Sequence, residues 1–201
     1  MDDTLYLSDL DGTLLRSDQT LSEYTCSVIE RIVEAGVHFS YATARSIDTA
    51  ARVTRGIRVD IPVIVHNGAF IVDSVTRRPL WSAKFTPQEE EAVYSAFLEQ
   101  GLFPLTYAVI DGKNRFSYIR ERCSAAQWAF VCSRKGYEDD RRAREISSPA
   151  QALDGDVYYF ACIADDERAL QPVYERLKDR FRCIFSRDIY TDAPWLEILP
   201  Q

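Results

Sequence analysis

Two aspartates, Asp9 and Asp11, stand two residues apart in the stretch Ser8-Asp9-Leu10-Asp11-Gly12-Thr13, after a short apolar run and directly before a glycine. Like charges that close repel, so a metal ion, a shared proton or water must screen them. An exposed Asp-Gly turn is common at strand ends and needs no function. A calcium loop requires Gly at its sixth position and Glu at its twelfth. Counted from Asp9, those positions hold Leu14 and Thr20, which removes that option. Phosphoryl transfer would use both carboxylates, one attacking phosphorus and the other carrying the leaving-group proton, with Mg²⁺ screening both.

The elements that would position the pair alternate in type. Residues 4–8 (TLYLS) read as a short buried strand ending at the carboxylates. Ser22 is a helix cap, the apolar residues Cys26, Ile29, Ile32 and Val33 recur at helical spacing, and Gly36 supplies the stop. VHFSYAT is a second strand ending at Thr43, and SIDTAARVTRG a second helix closed by Gly56. PVIVH is a third strand, continuing through Asn67-Gly68 into AFIVDS and, past Arg77-Arg78-Pro79, into PLWSAKF. That alternation predicts a parallel sheet with right-handed crossovers, whose chemistry lies at the carboxyl ends of its strands. Asp9/Asp11, Thr43/Arg45 and Asn67-Gly68 all fall at such ends.

From Thr86 the pattern changes. A helix begins at Pro87, then come the strands LFPLTYAVI and FSYIR around a turn at residues 111–114. A helical stretch over 124–135, a polar loop to Ser148, the strand DVYYFACIA, a helix over 165–180 and the strands FRCIFS and WLEIL complete the chain. This half reads as α+β with a largely antiparallel sheet. The expected division is 1–84 for the first part of a parallel-sheet core, 85–199 for an inserted α+β domain, and 200–201 for the start of a return.

The 201 residues carry a net charge of -7, which argues against nucleic acid as a partner, because phosphate-backbone binding relies on clustered Lys and Arg. The basic residues from Arg134 to Arg144 alternate with Glu138, Asp139, Asp140 and Glu145, the pattern of a solvated mixed-charge segment. No window approaches the roughly 20 apolar residues of a membrane span, and no secretory leader is evident. The five cysteines form no Cys-x-x-Cys pair and read as reduced, buried thiols of a cytoplasmic protein. Trp81, Trp128 and Trp195 read as core or interface residues, and His38 and His66 as structural side chains.

The strand-D-x-D-G-T-L pattern with a Thr ending the second strand resembles the haloacid dehalogenase (HAD) superfamily. FSYATARS, VIVHNGAFI and WLEI are similar to its Cof-type sugar-phosphate phosphatases, and the likeness covers the whole chain. The resemblance implies an α/β fold: a Rossmann-like parallel-sheet core with a large inserted α+β cap that selects the substrate. It implies a Mg²⁺-dependent phosphatase acting on small phosphorylated metabolites, with Asp9 as the nucleophile and a metal ligand. Asp11 would be the general acid/base, giving its backbone carbonyl to Mg²⁺, and Thr43 would bond the transferring phosphoryl group. Leu10, Gly12 and Thr13 in the loop, and Ala44, Arg45, Asn67 and Gly68, would line the substrate site. Ala44 stands where the family's T-G-R pattern has glycine, which implies a modest backbone adjustment. Phosphomannomutase-like or sucrose-phosphatase-like chemistry is a related alternative, and a non-catalytic phosphate-ligand-binding protein an alternative of another class. The oligomeric state stays open.

The same resemblance implies a phosphate-neutralising lysine and an acidic G-D-x-x-N-D-like motif, both after the strand resembling WLEIL. The sequence ends at Leu199-Pro200-Gln201, and Lys84 and Lys178 stand in other contexts. Three parallel strands are half of a doubly wound sheet, so the expectation is a chain shorter than the family's pattern. Its first- or third-strand edge would be open, and it would turn over little substrate.

Overall fold

Residues 4–136, 140–188 and 191–201 are described by the computed structural model, and the chain divides into two units, Met1–Ser82 and Ala83–Gln201. Glu138 and Asp139, part of the expected mixed-charge segment, lie outside the described residues.

In the first unit, β1 (Leu5–Ser8) pairs in parallel with β2 (His38–Tyr41), Ser8 opposite Tyr41. The crossover is α1 (Glu23–Glu34), whose start is fixed by the Ser22 hydroxyl accepting the Thr25 N–H. A second crossover helix, α2 (Ile47–Val53), is capped by Ser46 in the same manner. It leads to β3 (Val63–Val65), which meets β2 in parallel through one bridge, Ala42 with Ile64. The Ser40 hydroxyl bonds the Pro62 carbonyl at 2.6 Å and ties the two segments together. From there the sheet turns antiparallel, β3 pairing with β4 (Phe70–Val72) and β4 with β5 (Pro79–Ser82). The expected parallel order therefore holds over β1, β2 and β3 only.

Two expectations for this unit are corrected. β1 is not a buried strand: Leu5, Tyr6 and Leu7 are 54%, 57% and 48% exposed. Consecutive side chains of a strand point to opposite faces, so both faces of β1 are uncovered. β3 is flanked by β4, so of the first and third strands it is β1 that is left open. Trp81 does not fill a core either, because it sits on the edge strand β5 and is 52% exposed.

The second unit is a six-stranded mixed sheet. Its strands are β6 (Leu105–Ile110), β7 (Lys113–Tyr118), β8 (Ala143–Glu145), β9 (Asp156–Ile163), β10 (Arg182–Arg187) and β11 (Pro194–Leu199). They lie in the order β10-β11-β9-β6-β7-β8, antiparallel except for the β7–β8 pair. α3 (Pro87–Leu98) opens with a full capping box between Thr86 and Glu89. α3 and α5 (Glu167–Leu177) contribute Val93, Phe97, Leu170, Val173 and Leu177 to one buried cluster with Phe160, Cys162, Leu196 and Ile198. α4 (Ala125–Lys135) docks through Gln127, which donates to the Phe103 carbonyl and accepts the Ile163 N–H.

Four finer expectations fail here. The turn between β6 and β7 is two residues, not four: Asp111 and Gly112 both take positive φ, the tight hairpin geometry that follows strand twist. The polar loop before Ser148 contains β8, because main-chain pairing with β7 outweighs the charges of Arg144 and Glu145. Arg142 and Asp140 form a buried ion pair, their side chains 12% and 3% exposed, where a solvated segment was expected. All five cysteines are free thiols, but only Cys162 is buried as expected: Cys26, Cys123 and Cys183 are half-buried, and Cys132 on α4 is exposed.

Candidate active site

The site is built where the first unit's strands end. Leu10 is fully buried below the loop, and the Leu15 N–H closes on the Leu10 carbonyl at 2.8 Å, making a single wide turn of residues 10–14. Gly12 inside that turn has φ +77, a left-handed conformation that glycine adopts without the clash of a Cβ. The turn lifts Asp9, Gly12 and Thr13 into solvent and keeps Asp11 half-buried. Because the Leu10 side chain is locked in the core, only its main chain is available to a ligand.

Adjacent strand ends are stitched by backbone hydrogen bonds. The Ala42 N–H reaches the Ser8 carbonyl at 2.9 Å, and the Thr43 N–H reaches the Ile64 carbonyl at 3.0 Å. The Asn67 N–H returns to the Thr43 carbonyl at 3.1 Å, and the His66 N–H to the Arg45 carbonyl at 2.9 Å. The loops carrying Asp9/Asp11, Thr43/Arg45 and Asn67/Gly68 are therefore neighbours in space. Thr43 is buried, and its hydroxyl accepts the Arg45 N–H at 3.2 Å. Ala44 takes no positive φ, so the loop does not require the glycine of the T-G-R pattern.

Charge is balanced locally in a way the sequence did not disclose. Arg45 donates from Nε to one Asp11 carboxylate oxygen at 2.7 Å and from Nη2 to the other at 2.6 Å, with side-chain exposures of only 14% and 22%. Nη2 also donates to the Gln19 side-chain carbonyl at 2.8 Å. A two-pronged guanidinium–carboxylate contact in a half-buried site is strong and directional. Arg45, expected among substrate-lining residues, thus engages the acid/base candidate directly. Asp9, by contrast, points an exposed carboxylate outward.

His66, Asn67 and Gly68 take φ of +51, +56 and +90 in succession. Left-handed non-glycine residues carry strain that persists only where surrounding bonds impose it. Here the two bonds to Thr43 and Arg45 do so, with the buried His66 ring lying 5.7 Å from Phe70. The Asn-Gly dipeptide signalled a turn, but nothing in the sequence signalled the role of Gln19, one polar residue in a polar turn.

Comparisons with known proteins agree with this architecture. The family model described as haloacid dehalogenase-like hydrolase matches residues 6–200. A 5-amino-6-(5-phospho-D-ribitylamino)uracil phosphatase of Bacillus subtilis is 35% identical over 63 residues, 31% of this chain and 23% of its own. Among solved structures, a haloacid dehalogenase-like hydrolase from Bacteroides thetaiotaomicron aligns with a TM-score of 0.71 at 18% identity, covering 98% of this chain and 71% of that one. A haloacid dehalogenase-like hydrolase from B. subtilis gives the same TM-score at 15% identity, with coverages of 98% and 73%. The matched stretches span between 23% and 41% of the first three curated relatives. With its D-x-D-G-T turn, its strand-end threonine and its mixed α/β fold, the chain belongs to the haloacid dehalogenase-like hydrolases.

Proposed function

We propose that the protein to which these 201 residues belong is a Mg²⁺-dependent phosphomonoester hydrolase acting on small phosphorylated metabolites, sugar phosphates first among them. The observation that carries this reading is the divergent environment of two carboxylates on one turn. Asp9 is exposed and offers its oxygens to an electrophile, while Asp11 is held half-buried by Arg45. Environments that separate two acids are how one site assigns them different roles.

In the reaction, an Asp9 carboxylate oxygen bonds to phosphorus as the bond from phosphorus to the ester oxygen breaks. The departing oxygen takes a proton from Asp11 once that carboxyl has left its two-pronged contact with Arg45, which holds the ionised form. Water then attacks the aspartyl-phosphate, gives its proton to Asp11, and frees Asp9 and inorganic phosphate. The Thr43 hydroxyl, the loop N–H groups around Gly12, and Asn67 hold the phosphoryl oxygens and the substrate. The Asp9 carboxylate and the Asp11 backbone carbonyl are hard oxygen donors on one turn. They fit Mg²⁺, which takes one or two carboxylates and completes its shell with phosphate and water. When bound, it would screen the carboxylate and phosphate charges.

The test is hydrolysis of phosphate esters by the full product of the gene, with and without Mg²⁺. Asp9→Asn should reduce turnover by about 10³-fold or more while leaving the melting temperature unchanged. Undiminished turnover in Asp9→Asn would falsify the assignment of the nucleophile. Tight binding of phosphate esters with no hydrolysis by the unaltered protein would select the non-catalytic reading instead.

A further inference from the structure

We propose that the second unit carries an anion site of its own, a cleft beside the β6–β7 hairpin that takes the phosphate group of a small molecule. The cleft has a volume of about 420 Å³ and is lined by Ile110, Asp111, Lys113, Arg115, Ala143 and Arg144. All six belong to Ala83–Gln201, so the site does not rest on the phosphatase reading above.

Sheet register brings the three cations together. Side chains two apart on a strand share a face, so Lys113, Arg115 and Ser117 of β7 stand on one side of the sheet. β8 runs parallel to β7 with Arg144 opposite Ser117, which sets Arg144 on that side as well. Both guanidinium groups are held in place. Arg115 Nη1 donates to the Arg141 carbonyl, and Arg144 Nη1 donates to the Ser117 hydroxyl at 3.2 Å and to the Gln151 carbonyl at 3.0 Å. A guanidinium has five N–H donors in a rigid fork, so each retains donors beyond these contacts.

Most polar groups of this unit tie its elements together, as Gln127 and the Asp140–Arg142 pair do; Lys113 and Arg115 are left over. Among the described residues neither has a carboxylate at ion-pair distance, and Arg144 is matched by Asp154. The larger cleft of the unit, about 730 Å³, is different: there Asp166 pairs with Arg168, while Glu167 and Asp192 pair with Arg187. Its charges answer one another, whereas those of the smaller cleft repel. Lys113 and Arg115 are roughly 7 Å apart along the strand, and a dianion between them replaces repulsion by attraction. A phosphate monoester carries such a charge and matches the guanidinium fork. Ile110 and Ala143 give the cleft an apolar wall, and its volume is that of a small-molecule site.

The test is a nitrogen-edited NMR titration of the chain without Mg²⁺, using glycerol 3-phosphate and, separately, inorganic phosphate. We expect saturable shifts at the amides of residues 112–115 with a Kd of about 1 mM. Lys113→Gln and Arg115→Gln should each weaken binding about tenfold. Asp111→Asn should tighten it about threefold, because it removes the one carboxylate that lines the cleft. Asparagine accepts the φ of +50 at this position and makes the Asn-Gly pair that the hairpin favours, so the fold stands. Tighter binding of glycerol 3-phosphate assigns the site to organic phosphates, and the reverse order assigns it to the free ion. Shifts that do not saturate by about 50 mM, or that sodium chloride at equal ionic strength reproduces, overturn the site. So do a Kd unchanged in all three variants and shifts confined to the loop of Asp9 and Asp11.

Discussion

β1 and β9 differ in how the fold treats a strand. β9 is buried along seven of its eight residues and flanked on both edges by β6 and β11. β1 has one neighbour, β2, and its three apolar side chains are about half exposed on both faces. The polar residues follow the same division. In the second unit they are structural ties: Gln127 docks α4, and the Asp140–Arg142 pair anchors the segment before β8. In the first unit they stand at strand ends, with an exposed carboxylate and strained backbone. A region that spends its polar groups on packing has little left for a ligand, and short loops at strand ends are where function concentrates.

The largest expected effect probes the dense region. Phe160 on β9 is fully buried and stacks edge-on against Phe85 at 5.3 Å between ring centres. Phe160→Ala should cost about 3–5 kcal/mol from lost transfer energy and the remaining cavity. Urea unfolding followed by tryptophan fluorescence reads it, since Trp128 and Trp195 lie in the second unit. A loss below about 1 kcal/mol would mean that this unit is packed no better than the first.

Next comes the buried pair. Burial pushes the Asp140 carboxyl up, but hydrogen bonds and attraction from Arg142 outweigh it and hold the group below its ordinary value. A depressed folded value stabilises fully above the unfolded pKa of about 3.9, and that contribution is lost as pH falls through the folded value. Asp140→Asn leaves Arg142 buried without its partner and should cost about 3 kcal/mol at neutral pH. The variant should also lack the part of the acid-induced loss that the wild type shows below about pH 4. Identical pH profiles of melting temperature for the two proteins would show that the pair is open to solvent.

Much of this was legible in the sequence, and the boundary has physical causes. The cap at Ser22 and the strand-end placement of Asp9, Asp11 and Thr43 rest on local chemistry, which sequence records directly. Burial of β1 was misjudged because TLYLS is apolar whether or not anything covers it. Exposure is a property of neighbours, not of the run. β8 was missed because pairing with β7 is non-local, and its Ala-Arg-Glu composition favours no strand. Arg45 was legible as a site residue, but its contact with Asp11, 34 positions away, and with Gln19 exists only after folding.

The smallest expected effect tests the open strand. Leu7 on β1 is 48% exposed, so Leu7→Thr keeps a β-favouring side chain while removing apolar surface that the described fold leaves in water. If the strand is open in solution, stability should change by no more than about 0.5 kcal/mol, and solubility should rise because an apolar edge is a template for aggregation. A loss above about 2 kcal/mol would mean that something covers β1 in solution, since only a buried leucine costs that much. The contrast between the two units would then belong to these 201 residues and not to the protein as it works. Sedimentation of the variant beside the wild type separates the explanations: self-association that Leu7→Thr abolishes places the cover on a second copy, whereas an unchanged monomer places it within one polypeptide.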